Sequence, residues 1–198
     1  MITIYEPCTL YIKFLEQIPK VFVLGNPDTG EVFFFRHLYG SIPRIKFNVP
    51  IPGNYEANVP FEIVKETAIE IPLLGLPVLP AATRKRWTSD IQVEFNPMLS
   101  TIARNFTDIG LIEVGPRYEQ LIQPVKRFII LHEMGHFFYD SEFDCDLYAL
   151  VNFIREGYNV STAYYSLEHY LMRSAQQIDR VKALFSKINS IQPFKTGL

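Results

Sequence analysis

The segment Phe128-Ile-Ile-Leu-His-Glu-Met-Gly-His-Phe-Phe-Tyr139 constrains the fold more than any other part of the chain. Val125, Phe128, Ile129 and His132 fall on one stripe of a helix, and Pro124 suits its first turn, so the spacing predicts a helix with one buried face. His132 and His136 are four residues apart and project from the same face, one turn from each other. Both imidazoles can therefore reach a single cation, and Glu133, next to the first histidine, can reach a water at the same point. Gly135 allows a neighbouring element to approach closely. A chain containing this helix must cover its apolar stripe while leaving the ring edges accessible.

The composition permits this. With 198 residues, 48% of them apolar and 14% aromatic, the chain can build one domain or two small ones around a substantial core. A net charge of -2 gives no electrostatic case for nucleic acid or for an anionic membrane surface. The basic cluster Arg84-Lys85-Arg86, before Trp87, reads as a solvated turn. No apolar run approaches the roughly 20 residues needed to span a bilayer, and the N-terminus lacks the basic start and long apolar stretch of a secretory signal. A soluble, cytoplasmic protein is expected. Cys8 and Cys145 are far apart in sequence and are expected to be reduced thiols.

From Ile2 to about Ile71 the pattern predicts short strands and turns. Lys20-Val-Phe-Val-Leu24 and Glu31-Val-Phe-Phe-Phe-Arg36 flank loop chemistry at 25–30 and should pair as a hairpin. Ile45–Phe47, Phe61–Val64 and Ala68–Ile71 are further strand candidates, punctuated by Pro43, Pro50, Pro52, Gly53 and Pro60. Residues 1–71 are thus expected to form a β-rich sandwich or barrel-like module, in which His37 is an isolated structural or surface histidine. Pro72–Pro80, with three prolines and one glycine, suits neither a helix nor a central strand; being apolar, it reads as a packed linker over 72–90. In 91–198, Ile91–Phe95 and Gly110–Val114 read as strands, with Asn96-Pro97 as a turn and an irregular or helical stretch around Met98–Arg104. Asp140-Ser141 is turn chemistry that ends the histidine helix. A second helix is expected from Glu142 or Asp144 to about Glu156, stopped by Gly157, and a last one capped by Ser161 and running to about Ile188. Strands first and helices last is the α+β pattern.

Two imidazoles do not complete a zinc site, because catalytic zinc takes three protein ligands and leaves a fourth position to water. The third must come from the acidic stretch Asp140-Ser-Glu142-Phe-Asp144-Cys-Asp146. Glu142, six residues after His136, has the spacing of third ligands in extended HExxHxxxxxH sites; position 139, a turn-making glycine in that class, is Tyr here, so the turn must be built differently. Cys145 reads as a small buried residue rather than a ligand, and His169 as surface or core. Tyr118, Tyr139 and Tyr148 are candidate oxyanion donors.

The string Glu142-Phe-Asp-Cys-Asp146-Leu-Tyr148-Ala149 resembles the E-x-x-A-[DN]-x-F-A element that follows HExxH in gluzincin metallopeptidases, notably the ImmA/IrrE-like and HtpX-like branches. The resemblance covers about Val125–Tyr158. It implies that Glu142 is the third zinc ligand, that Asp146 orients a histidine from behind, and that Cys145 occupies the place of a small residue between two packed helices. The loop from His136 to Glu142 is shorter than in either branch, which leaves Asp144 and Asp146 open as the ligand. In zincin folds an edge strand lies along the cleft and pairs with an extended substrate; Leu111–Val114 is the candidate, with an ordinary sheet strand as the alternative. Thr107–Asn159 is also similar to small HExxH proteins encoded by phages.

Together these observations imply a zinc-dependent metallopeptidase acting on a peptide or protein, with His132, His136 and Glu142 holding Zn(2+), Asp146 and Asp144 as supporting or alternative ligands, and Glu133 as general base for a zinc-activated water. The alternative is a structural or assembly protein on a zincin scaffold, such as a virion or head-to-tail component, whose partners are copies of itself or a larger assembly. On a phage origin the host cytoplasm or a virion is its place. A repressor-cleaving regulatory protease is implied by the ImmA-like resemblance alone.

Overall fold

The computed structural model describes residues 1–16, 21–27, 32–37, 44–70, 76–83, 90–171, 179 and 183, with the backbone alone at 32–37 and 161. Strands come first and helices last, so the fold is α+β. The basic cluster at 84–86, the middle of the hairpin loop, the start of the proline-rich stretch and nearly all of the helix expected beyond Leu171 lie outside the described residues. Contacts divide the chain into two units: Met1–Ile71 with Ile122–Pro124 and Ile154–Thr162, and Pro72–Leu121 with Val125–Phe153 and Ala163–Leu198.

The first unit is built of β1 (Ile2–Ile4), β2 (Cys8–Phe14), β3 (Val21–Gly25), β4 (Val32–His37), β5 (Arg44–Val49), β6 (Gly53–Ala57) and β7 (Phe61–Ala68). They form a four-stranded sheet, β1-β6-β3-β4, and a three-stranded sheet, β5-β2-β7, with every pairing antiparallel. The expected β3–β4 hairpin is present, with Val21 opposite His37. Alternation places Leu10, Ile12 and Phe14 of β2, Phe22 and Leu24 of β3, and Ile45 and Phe47 of β5 in one buried cluster. Phe22 sits edge-on to Phe14 and Phe61, with centroids at 5.5 and 5.9 Å, so aromatic packing joins the two sheets as in a sandwich. Ala68 does not begin a separate strand: it is the last residue of β7, Phe61–Ala68, which pairs with β2 on both sides of a register shift at Val64. β6 begins at Gly53, which the prolines around it had marked as a turn.

A polar network extends from this sandwich. The Thr9 hydroxyl donates to Asn48 Oδ1 at 2.7 Å and accepts from the Glu70 amide at 2.8 Å. Asn159 closes a two-point contact with the Asn48 backbone, accepting from its N–H at 3.0 Å and donating to its carbonyl at 2.9 Å. Pairing of this kind lets the buried residues Thr9 and Asn48 sit beside an apolar core without unmet hydrogen bonds.

In the second unit, β8 (Gln92–Phe95), β9 (Ala103–Phe106) and β10 (Leu111–Val114) form a sheet in the order β8-β10-β9. β10 is parallel to β8 and antiparallel to β9. Leu111–Val114 is therefore the central strand and not the expected edge, because Ala103–Phe106, read as irregular or helical at its start, is a strand that takes that place. Ile112 and Val114 turn one face of β10 onto Ile130 and Phe137.

The helices are α1 (Pro116–Glu119), α2 (Gln123–Gly135), α3 (Glu142–Arg155) and α4 (Val160–Ser166), followed by a π-helical turn over Leu167–Leu171. Val125, Phe128 and Ile129 are buried, as the stripe predicts, and Phe128 meets Phe153 of α3 edge-on at 5.3 Å. Gly157 ends the α3 region with φ at +88°, a left-handed conformation that favours glycine. Ser161 is not a cap: α4 begins one residue before it, and Thr162 N–H bonds to the Asn159 carbonyl at 3.0 Å. Of the packed linker expected over 72–90, the described residues 76–83 are half-buried or exposed, with Val78 91% exposed, and the Thr83 amide donates to Phe138 O at 3.0 Å. Among the described residues, no helix is long and apolar enough to cross a membrane.

Glu70 supplies a test of the first unit. Hydrogen bonds from Lys46, then Tyr11, with a smaller one from Thr67, outweigh partial burial and hold its carboxyl at about 2, below the ordinary 4.5. A depressed carboxyl contributes stability that is complete above about 4.5 and lost as pH falls toward about 2. The Glu70 side chain is 38% exposed, so solvent screening makes this a modest share. In acid titrations followed by thermal unfolding, the midpoint of the wild type should fall more steeply across that window than that of Glu70→Gln.

Candidate metal centre

The site grows from the junction of α2 and α3. After Gly135 the helix tightens: His136 N–H bonds to Glu133 O at 3.3 Å, Phe137 N–H to Met134 O at 3.1 Å, and Phe138 N–H to Gly135 O at 2.9 Å. Tyr139 N–H also returns to Gly135 O at 2.9 Å, so the turn closes without a left-handed residue at 139; among the described residues no non-glycine has positive φ. Ser141 then starts α3, its hydroxyl accepting the Asp144 amide at 3.4 Å and its carbonyl the Cys145 amide at 3.0 Å. Glu142 and Asp144 lie in the first turn, where acidic side chains suit the helix dipole.

Residues 142, 145 and 146 share one face of α3, and each has a separate task there. Glu142 reaches the histidines: its Oε2 is 3.5 Å from His132 Nε2 and its Oε1 3.6 Å from His136 Nε2. Cys145 forms the seam, because a Cβ on Gly135 would meet Cys145 Cα at 2.8 Å and Cβ at 3.0 Å. Asp146 stands behind the first histidine, with Oδ1 2.8 Å from His132 Nδ1. The sulfur of Cys145 lies 3.4 Å from His136 Nδ1 and 3.7 Å from the Tyr139 carbonyl. The imidazoles meet edge-to-face, centroids 5.1 Å apart.

One atom each from His132, His136 and Glu142 lies within 4.8 Å of the others, so this cluster could hold a metal ion. Donors about 2.0–2.2 Å from a zinc ion at tetrahedral angles stand about 3.3–3.5 Å apart, close to the two His–Glu separations. The field agrees. Burial lowers the His132 pKa, but the hydrogen bond and charge of Asp146, with Glu133 and Glu142 beyond, outweigh it and leave it raised. Burial first, and then the carboxylates of Glu142, Asp146, Asp144 and Glu133, push the Cys145 thiol up to about 12, so it is neutral. A site that favours positive charge on a histidine and disfavours negative charge on a cysteine is suited to a cation.

Comparison with protein-family models, with curated proteins and with solved structures finds no match.

Each sequence-derived candidate has a definite position. Glu142, of the four competing carboxylates, joins the two histidines, and Asp146 lies on the far side of His132 rather than at the convergence point. Asp144 is on the first turn of α3 and outside the donor cluster. Glu133 is 8% exposed, and its Oε2 accepts a 2.7 Å hydrogen bond from Asn105 Nδ2 on β9. Sequence reasoning missed Asn105 because its strand was not foreseen; an asparagine, depleted in strands, at mid-strand was the one available signal. Tyr139 donates its hydroxyl to Pro80 O at 3.2 Å, Tyr118 packs among Ile112, Val114 and Ile130, and Tyr148 lies against Phe138. His169 Nδ1 lies 3.1 Å from Tyr165 O within its own helical turn.

Gly135→Ala tests the seam. The clash is with Cys145 backbone, so α3 must move, and overpacking of this kind costs about 1–3 kcal/mol. Denaturant unfolding should show that loss, and Co(II) titration should show weaker binding, because Glu142 moves with the helix.

Proposed function

We propose that the protein is a zinc-dependent metallopeptidase. The observation that carries this reading is the convergence of two imidazole nitrogens and one carboxylate on one point, with a second carboxylate, Glu133, on the residue next to the first histidine. Two histidines and one glutamate are a donor set of catalytic zinc, and three protein ligands leave a coordination position for chemistry. The Glu142 side chain is 55% exposed, whereas those of His132 and His136 are 5% and 16% exposed, so the cluster meets solvent on the Glu142 side. Closed structural zinc sites have four protein ligands instead.

Zinc held there by His132, His136 and Glu142 would supply a Lewis acid for the scissile carbonyl and would lower the pKa of a bound water toward about 7. The remaining work belongs to the chain. Glu133 takes a proton from the attacking water and returns it to the leaving nitrogen. Asn105 holds Glu133 Oε2, which leaves Oε1 for that proton. Asp146, with Oδ1 2.8 Å from His132 Nδ1, would orient the ring so that Nε2 faces a bound metal. The substrate is a peptide or protein. An extended backbone adding to the outer edge of β9 would run beside Asn105, in the manner of strand addition to a sheet edge.

Metal content and casein cleavage test the proposal together. Wild type and Glu133→Gln should each bind one zinc, with cleavage in the variant reduced about 10²–10⁴-fold, the contribution of a general base. Asp146→Ala should weaken zinc binding by about 10–100-fold while leaving the three ligands in place. Zinc bound by both proteins with cleavage by neither would remove the peptidase and favour a scaffold with a structural metal.

A further inference from the structure

We infer that Cys145 is a positioning residue for His136: its sulfur accepts a hydrogen bond from His136 Nδ1–H and keeps the Nε2 lone pair turned toward the point shared with His132 and Glu142. A neutral imidazole carries its proton on one nitrogen only, and the hydrogen bond at one nitrogen decides which is free to bind metal. At His132 the group that faces Nδ1 is the Asp146 carboxylate, with Oδ1 2.8 Å away. At His136 the residue immediately before Asp146 takes the corresponding place, with Cys145 Sγ 3.4 Å from Nδ1. Consecutive residues of α3 thus hold one imidazole each by the same ring nitrogen.

The thiol proton has its own acceptor, the Tyr139 carbonyl at 3.7 Å, so the sulfur lone pairs remain for His136. The sulfur is also fixed in space. Cys145 is 0% exposed, and its backbone is wedged where Gly135 has no side chain. A larger acceptor would not fit that seam, and alanine would fill it without an acceptor.

The consequence for metal affinity rests on the proposed metal centre, whereas the tautomer can be read without metal. In the ¹⁵N-labelled, metal-free protein at a pH where the imidazoles are neutral, long-range ¹H–¹⁵N spectra report which nitrogen of each histidine is protonated; His136→Gln assigns the signal. Wild type and Cys145→Ser should both show His136 protonated at Nδ1, and Cys145→Ala should shift the proton toward Nε2. Zn(II) affinity should fall about tenfold in Cys145→Ala and less in Cys145→Ser, the lower end of the range for residues that orient metal ligands. An unprotonated His136 Nδ1 in the wild type overturns the inference, and this spectrum decides alone if Cys145→Ala does not fold. So does a Cys145→Ala protein with wild-type tautomer and zinc affinity. If the tautomer shifts as described but none of the proteins binds zinc, the role of Cys145 stands and the metallopeptidase reading falls.

Discussion

The close approach of two helices at Gly135 and Cys145 is the constraint on which the centre depends. His132 on α2 and His136 in the turn just after it can offer two nitrogens to one point, but the third donor lies on another helix, and a carboxylate reaches only a few ångströms. A missing side chain at Gly135 brings the α3 backbone to where a Cβ would have been. Glu142 is then one turn before the contact, at the start of α3, and its two oxygens lie 3.5 and 3.6 Å from the two histidines. Cys145 serves because it is small enough for the seam and still carries an atom that can hydrogen-bond.

Burial and charge are balanced in the same few residues. Asp146 and His132 are almost fully removed from water, and a lone charge in such a place would cost several kcal/mol. Placed 2.8 Å apart they compensate one another. Glu133 is tempered in another way, by the neutral amide of Asn105, which stabilises the carboxylate without adding charge. Carboxylates thus surround two imidazoles in a cluster that could hold a cation.

The β-rich unit follows simpler rules. Period-two alternation sends Leu10, Ile12, Phe22, Leu24 and Phe47 inward, and aromatic edges join the two sheets. Its polar detail is more specific. Asn159, 111 residues from Asn48 in sequence, pairs with the backbone there as a strand would, so a residue from beyond the histidine helix completes hydrogen bonding in a unit formed mostly from the first 71 residues.

What could be read from the chain were the features set by local period and local chemistry. The α+β order, the β3–β4 hairpin, the buried face of α2, the stop at Gly157 and the relation of His132 to His136 all repeat at two, three or four residues, and a short window contains them. The acidic stretch after His136 also limited the third donor to four carboxylates, and spacing favoured Glu142 while leaving Asp144 and Asp146 open. The choice among them came from tertiary structure, because it depends on where α3 starts and which face it turns to α2. Likewise, β9 and the central place of Leu111–Val114 were hidden, since a four-residue strand is defined by its neighbour's hydrogen bonds more than by its own composition. Asn105 and Glu133, 28 residues apart, and Cys145 beside the ring of His136 meet only once the sheet and both helices have packed. Sequence specified which atoms were on offer, and folding decided which of them share a place, because distance in space between separate elements leaves no periodic trace in the chain.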